Sequence, residues 1–120
     1  MNHVGEVYTI AKVDTLSSPP TAEPRTLGDL IRRSLEIYDL PDALNYKNEG
    51  LWEAISSAEL VSRAENIALG LYSIGVRKGD RAAILAANSP KWSSTDAGCQ
   101  FAGVVDVPIY TTLAERYGAI

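Results

Sequence analysis

The clearest periodic pattern lies between Ser57 and Ile74, where apolar residues recur every three or four positions. The apolar stripe consists of Leu60, Val61, Ala64, Ile67, Ala68 and Leu71. This spacing predicts an amphipathic helix with one face in the core. The stretch Ser56–Glu59 fits a capping box, in which the Ser56 hydroxyl and the Glu59 carboxylate each bond a first-turn amide. We expect Gly75 to end the helix in a left-handed conformation.

An earlier helix is predicted after an irregular lead-in that occupies residues 1–25. Val4–Val13 could pair as a strand, but the prolines and serines that follow it interrupt regular structure. Thr26 suits an N-cap, and the apolar spacing after it predicts a helix that reaches Ile37–Tyr38. The helix should stop near Leu40, because a residue that precedes proline avoids the helical conformation.

A β-hairpin is predicted between the two helices. Ala43–Lys47 and Leu51–Ile55 have the composition of short strands, and Asn48–Gly50 separates them. Three residues that include a glycine are a common hairpin connection.

The second half of the chain has the order strand, helix, strand. Ala82–Ala86 is a short continuous apolar run, which is typical of a strand covered on both faces. Ser89 and Pro90 suit an N-cap and a first helical position, and the helix should close near Gly103. Its inward residues are expected to be Trp92, Cys99 and Phe101. Val104–Ile109 is the second strand, so the pattern predicts an α/β fold with a parallel βαβ unit at about residues 82–109.

Composition and charge narrow the class of protein. The 120 residues carry a net charge of -4, which argues against nucleic-acid binding, because that function needs a basic surface. The chain contains one cysteine and one histidine, so neither an internal disulfide nor a cysteine-rich zinc site is expected. No apolar run is long enough to cross a bilayer and no targeting segment is recognisable, so we expect a cytoplasmic protein.

Candidate binding residues lie where the two parallel strands should end. Asn88 follows the first strand, and Tyr110 and Thr111 follow the second. Ligands of open α/β sheets bind at these carboxyl ends, and a helix N-terminus there offers amides to an anion. Helix capping and turn hydrogen bonds account for the same residues without a ligand.

Two further polar residues lie on the helix between the strands. Asp96 is interpreted either as a surface charge or as a partner of Arg81 or Lys91. Cys99 is interpreted as a small buried hydrophobe, because no neighbouring residue type would lower its pKa.

The order of several short sequence stretches resembles one enzyme family. These stretches are Leu69–Leu71, Gly75–Leu85, Asn88–Trp92 and Gly103–Leu113. Together they resemble the N-terminal region of AMP-forming acyl-CoA synthetases of the adenylate-forming superfamily. The long-chain fatty acid branch is most similar, because of Pro108–Leu113 and the tryptophan that follows the Asn-x-Pro motif. Lys91 departs from the acidic residue common at this position, and Ala114–Ile120 departs from the family pattern.

The resemblance implies an enzyme that joins a fatty acid to ATP with Mg²⁺ and then transfers the acyl group to coenzyme A. It also implies that residues 26–120 are an incomplete N-terminal subdomain, with the phosphate loop and the catalytic residues beyond Ile120. No catalytic, metal or cofactor-binding residue is therefore assigned, and Asn88, Tyr110 and Thr111 are the candidates for substrate contact.

Two other functions remain open at this point. The chain could be a stand-alone non-catalytic remnant that serves as an interaction module, or part of an aryl-acid or amino-acid adenylating enzyme of the same superfamily. Peripheral membrane association is compatible with the resemblance.

If the chain is a fragment, we expect it to be inactive alone and to self-associate through strand edges and helix faces that lack partners.

Overall fold

The computed structural model describes residues 23–112, which form three helices and four strands. The predicted strand Val4–Val13 and the divergent segment Ala114–Ile120 lie outside the described residues. In chain order the elements are α1 (Leu27–Tyr38), β1 (Leu44–Asn48), β2 (Leu51–Ile55), α2 (Ser57–Ser73), β3 (Arg81–Leu85), α3 (Pro90–Ala102) and β4 (Val105–Ile109).

The first helix begins and ends as the sequence predicts. The Thr26 hydroxyl accepts a hydrogen bond from the Asp29 amide at 3.0 Å, which satisfies one free donor of the first turn. At the other end Asp39 takes a left-handed conformation and its amide bonds the Leu35 carbonyl. Ser57 then exchanges two hydrogen bonds with the Leu40 backbone, which joins the end of α1 to the start of α2.

The hairpin is tighter than the sequence predicts, and its first strand is shifted by one residue. Asn48 pairs directly with Leu51, so the connection contains two residues rather than three. Glu49 and Gly50 both have positive φ, 50° and 81°, which matches the two-residue turns that follow the twist of the strands. The prediction of Asn48 as a turn residue is wrong because that turn leaves Asn48 in the ladder.

The long helix α2 confirms the strongest periodic pattern. Its predicted apolar face is its more buried side, and Ala64 at the centre is fully buried. The Ser56 hydroxyl accepts the Glu59 amide at 3.1 Å, but the Glu59 carboxylate bonds Arg63 instead of completing the capping box. Gly75, with φ 96°, ends the helix in a Schellman motif. The Val76 amide donates to the Leu71 carbonyl, and the Gly75 amide donates to the Tyr72 carbonyl.

Strands β3 and β4 pair in parallel, as predicted, with α3 as the connection between them. Helix α3 lies between α1 and α2 on one side and the two-stranded sheet on the other. The prediction that β3 is covered on both faces is wrong for residues 23–112. Ile84 is buried beneath α3, whereas Ala83 and Leu85 on the other face are exposed.

The contacts of α3 with the other helices depend on small residues. Gly28 of α1 and Gly98 of α3 leave no room for a methyl group, because a Cβ at either position would lie 2.5 Å from an atom of the facing helix. The Arg32 guanidinium lies 4.5 Å from the centre of the Phe101 ring and pairs with Glu65. One residue of α1 thus contacts both other helices.

Across residues 23–112, no helix combines the length and the apolar character needed to cross a bilayer.

Candidate functional site

The candidate site is the edge of the parallel sheet at which β3 and β4 both end. Leu85 and Ile109 are directly paired, so the loops that follow these residues leave the sheet at the same edge. Asn88 lies in the first loop, and Tyr110 and Thr111 follow the second strand. The parallel pairing therefore brings the three predicted residues to one edge, as expected for an α/β sheet.

Asn88 lines an open groove between this edge and the hairpin. The groove has a volume of about 260 Å³. Its lining residues are Leu44, Asn45 and Tyr46 from β1 and Asn88, Ser89, Pro90 and Ser93 from the start of α3. The contribution of β1 was not predicted, because no sequence pattern links a local hairpin to a loop more than forty residues away.

Tyr110 and Thr111 lie outside the lining of this groove. Tyr110 is 75% exposed, and Thr111 is exposed at the first turn of a helical segment. The structure thus places the two residues at the predicted edge without bringing either into the Asn88 groove.

Ser89 has a structural role at the same edge. Its hydroxyl accepts the Trp92 amide at 3.2 Å, and its carbonyl accepts the Ser93 amide. Pro90 occupies the first helical position, where no amide is needed. Helix capping therefore explains Ser89 and Pro90 without a ligand.

The side chains of the predicted residues define what the edge can do chemically. Asn88 offers an amide group, and Tyr110 and Thr111 offer hydroxyl groups. Such groups can orient a polar ligand through hydrogen bonds, but they supply neither a charge nor a base for a reaction. These three residues are therefore binding candidates rather than catalytic ones.

A second polar cluster lies between α3 and β4 and includes the half-buried Asp96, for which the alternative of an ion pair with Arg81 or Lys91 is wrong. Besides burial, the groups that shift the pKa of the Asp96 carboxyl are Asp106 and Gln100, and neither Arg81 nor Lys91 is among them. Gln100 donates from Nε2 to Asp106 Oδ1 at 2.9 Å. The sequence signal that could have indicated this cluster is Asp106. Because successive side chains of a strand point to opposite faces, Asp106 lies on the face of β4 opposite Val105 and Val107.

Burial and the carboxyl group of Asp106 raise the pKa of Asp96 above its usual value. Cys99 lies next to this cluster and is almost fully buried, at 1% exposure, as predicted. Burial is the main cause that raises the pKa of its thiol, and Asp106 and Asp96 raise it further. Because the thiolate is the reactive form, burial and the raised pKa both disfavour reaction at Cys99, which packs in the core.

Comparison with solved structures shows which class of protein has this fold. The fatty acyl-adenylate ligase from L. pneumophila, solved with acyl adenylate and pyrophosphate, superimposes with a TM-score of 0.65 and 29% sequence identity. The match covers 71% of this chain and 15% of that structure. The chain therefore has the fold of the N-terminal part of an adenylate-forming enzyme.

Sequence comparison identifies the family. The AMP-binding enzyme family matches residues 37–117, which is more than half of the chain. The chain belongs to this family of AMP-binding enzymes. The resemblance predicted from the short sequence stretches is thereby confirmed.

Curated relatives agree with this assignment. The long-chain-fatty-acid–CoA ligase ACSBG1 of Bos taurus is 35% identical over 74% of this chain. The long-chain-fatty-acid–CoA ligase FadD15 of Mycobacterium bovis is 38% identical over 62% of the chain. The match spans only 12% of the bovine protein and 13% of the mycobacterial one.

Proposed function

We propose that this chain is the N-terminal part of a long-chain fatty-acid–CoA ligase. In the first step of the proposed reaction, the fatty acid carboxylate attacks the α-phosphorus of ATP and pyrophosphate leaves. In the second step, the thiol of coenzyme A attacks the acyl carbon and AMP leaves. The observation that carries the proposal is the 35% identity to a long-chain-fatty-acid–CoA ligase over 74% of the chain.

Within this enzyme, residues 26–120 would form part of the AMP-binding domain, after a lead-in of residues 1–25. The sheet edge at Asn88, Tyr110 and Thr111 would contribute neutral hydrogen bonds to the bound substrates. Groups that stabilise charge on the transferred phosphate would come from the much larger part of the relatives that lies outside the match. ATP, Mg²⁺, coenzyme A and the fatty acid would be partners of the whole enzyme, which we expect in the cytoplasm.

A hybrid enzyme tests the proposal. Residues 26–112 of this chain would replace the matching segment of the bovine ligase, and fatty-acid-dependent exchange of pyrophosphate into ATP would be measured. We expect the hybrid to be active if the segment supplies the same structural part. A folded but inactive hybrid, prepared beside the active parent enzyme, would contradict the proposal.

Variants of the hybrid test the sheet edge. Asn88→Ala should lower kcat/KM by about two- to tenfold, because one neutral hydrogen bond contributes roughly 0.5–1.5 kcal/mol. The matched control is Asn66→Ala, since Asn66 is an exposed residue of α2 and lines a different groove. Equal effects of the two variants would show that Asn88 does not contact the substrates.

A further inference from the structure

A second open groove, which we call the α2–α3 groove, runs between the two helices that are in closest contact. Its volume is about 360 Å³, at the lower end of the range of small-molecule sites. On each helix the residues that define it are three or four positions apart, so they lie on one face. They are Arg63 and Ile67 from α2, and Lys91, Ser94 and Thr95 from α3. None of these residues lines the groove at Asn88.

The lining of the α2–α3 groove is mostly apolar and is held in place by the helix contact beside it. Ile67 packs against Gly98, where an added Cβ would lie 2.5 Å from Ile67 Cγ2. The aliphatic stems of Arg63 and Lys91 add apolar surface, because long cationic side chains keep only their charged ends in water. The groove is therefore formed by the fold itself and can accept an apolar chain.

The hydroxyl groups of the groove are already used inside α3. Ser94 donates to the Pro90 carbonyl and Thr95 donates to the Lys91 carbonyl, both at 2.7 Å. Neither hydroxyl hydrogen is free for a ligand, so the charged side chains are left to select the ligand's polar group.

Two cations border the groove, and they differ in their partners. Arg63 donates from Nε and Nη2 to the Glu59 carboxylate at 3.2 and 2.6 Å, which leaves its Nη1 hydrogens for a ligand. Within residues 23–112, the Lys91 ammonium group forms neither a hydrogen bond nor an ion pair. Two positive groups and one carboxylate leave the groove with one positive charge in excess.

Helix stability does not explain the charge of Lys91. Lys91 is the second residue of α3, and the first turn of this helix contains no acidic residue. Because the helix macrodipole is positive at the N-terminus, a cation there is unfavourable. A negative group bound in the groove would give this ammonium group a favourable partner.

We propose that the α2–α3 groove binds an amphipathic anion, with the carboxylate or phosphate head group at Lys91 and Arg63 and the apolar chain on Ile67. The excess positive charge selects an anion, and the mostly apolar lining selects a ligand with a chain. The volume suits one head group with a chain of about eight carbons. The proposal concerns this fold and does not depend on the proposed reaction.

The experiment titrates the full chain, at low micromolar concentration, with octanoate and with octyl phosphate. Trp92 adjoins Lys91 and would report through its fluorescence in a Trp52→Phe background, because Trp52 is 70% exposed and emits separately. Octanol and octylammonium are the ligand controls, since they carry the same chain with no charge or with the opposite charge. Urea unfolding is the second measurement, because a ligand that binds only the folded state lowers the unfolding constant about tenfold at ten times its Kd.

Lys91→Glu is the test variant, and Lys47→Glu is the matched control. Lys47 is an exposed lysine of the hairpin that does not line this groove, and both variants change the net charge equally. Without ligand, Lys91→Glu should be at least as stable as the wild type, because a carboxylate is favourable in the first turn of a helix. A loss of binding in this variant would therefore not result from unfolding.

We expect octanoate or octyl phosphate to bind with a Kd of about 1 mM or below. Octanol and octylammonium should bind about tenfold more weakly or not at all, and Lys91→Glu should weaken anion binding by about tenfold or more. Lys47→Glu should change the Kd by less than about twofold, because exposed distant charges are screened. The anion that binds more tightly identifies the preferred head group.

Three results would overturn the proposal. The first is no binding of either anion by both measurements at concentrations up to about ten times the expected Kd. The second is binding of octanol or octylammonium as tight as that of the anions. The third is an equal effect of Lys91→Glu and Lys47→Glu on the Kd.

Discussion

The substitution Gly98→Ala tests the closest helix contact of the structure. A Cβ added at Gly98 would lie 2.5 Å from Ile67 Cγ2, 2.7 Å from Ile67 Cβ and 3.1 Å from the Ala64 carbonyl oxygen. The Cβ of Ile67 cannot rotate away, because it is bonded directly to the backbone. The new methyl group can therefore be accommodated only if α2 and α3 move apart.

Two opposing effects determine the magnitude. Overpacking of a well-packed interface costs about 1–3 kcal/mol. Alanine in a helix interior is more favourable than glycine by about 1 kcal/mol. The clash is the larger effect, so we expect Gly98→Ala to lower the free energy of unfolding by up to about 2 kcal/mol.

Gly70→Ala is the control that separates these two effects. Gly70 also lies inside a helix, but a Cβ there would have no heavy atom within 4 Å. It should therefore raise the free energy of unfolding by about 0.5–1 kcal/mol through helix propensity alone. Because the propensity gain is common to both variants, the difference between them reports the clash, which should be about 1–3 kcal/mol.

Urea unfolding followed by far-UV circular dichroism would measure both variants at low protein concentration. With a slope of about 1–2 kcal/mol per molar urea, the midpoints of the two variants should differ by about 0.5–3 M. If Gly98→Ala stabilised the protein as much as Gly70→Ala, α2 and α3 could not be in the contact described here.

Three further predictions concern the hairpin, the exposed sheet face and catalysis by the chain alone. Glu49→Asn should raise the free energy of unfolding by up to about 1 kcal/mol in urea melts, because asparagine tolerates the left-handed conformation that Glu49 adopts; a loss of stability would contradict the turn geometry. Val107 is 41% exposed on a face of β4 that α3 does not cover. Light scattering should therefore detect oligomers of the isolated chain, and fewer of them for Val107→Lys, whereas a monodisperse wild-type monomer would contradict this. The purified chain should show no fatty-acid-dependent pyrophosphate exchange above background. Measurable exchange would refute the claim that catalysis needs residues from the rest of the enzyme.

Local sequence signals predicted most of the elements. Thr26, Ser56 and Ser89 each cap the helix expected from them, because a side-chain oxygen next to a first-turn amide is a local contact. The parallel arrangement of β3 and β4 followed from the intervening helix, since a crossover of this length returns the chain in the same direction. The side-chain chemistry at each helix start and the order of the elements along the chain were sufficient to predict these features.

Features that depend on distant residues were not predictable in the same way. Which groups act on Asp96 depends on how α3 lies on β4, and sequence proximity suggested Arg81 or Lys91 instead of Asp106. The groove at Asn88 needs a wall from β1, which no periodic pattern indicates. The coverage of β3 was predicted from its apolar composition, but composition does not reveal that its second face lacks a neighbour within residues 23–112.

The most direct test of the account is the rate of fatty-acid-dependent pyrophosphate exchange by the hybrid ligase that carries residues 26–112 of this chain. If the segment forms the same structural part as in the long-chain-fatty-acid–CoA ligases, the hybrid should exchange pyrophosphate well above a no-acid control. A hybrid that folds and unfolds as cooperatively as its parent, yet shows no exchange with any long-chain acid, would contradict the assignment of this segment to such a ligase.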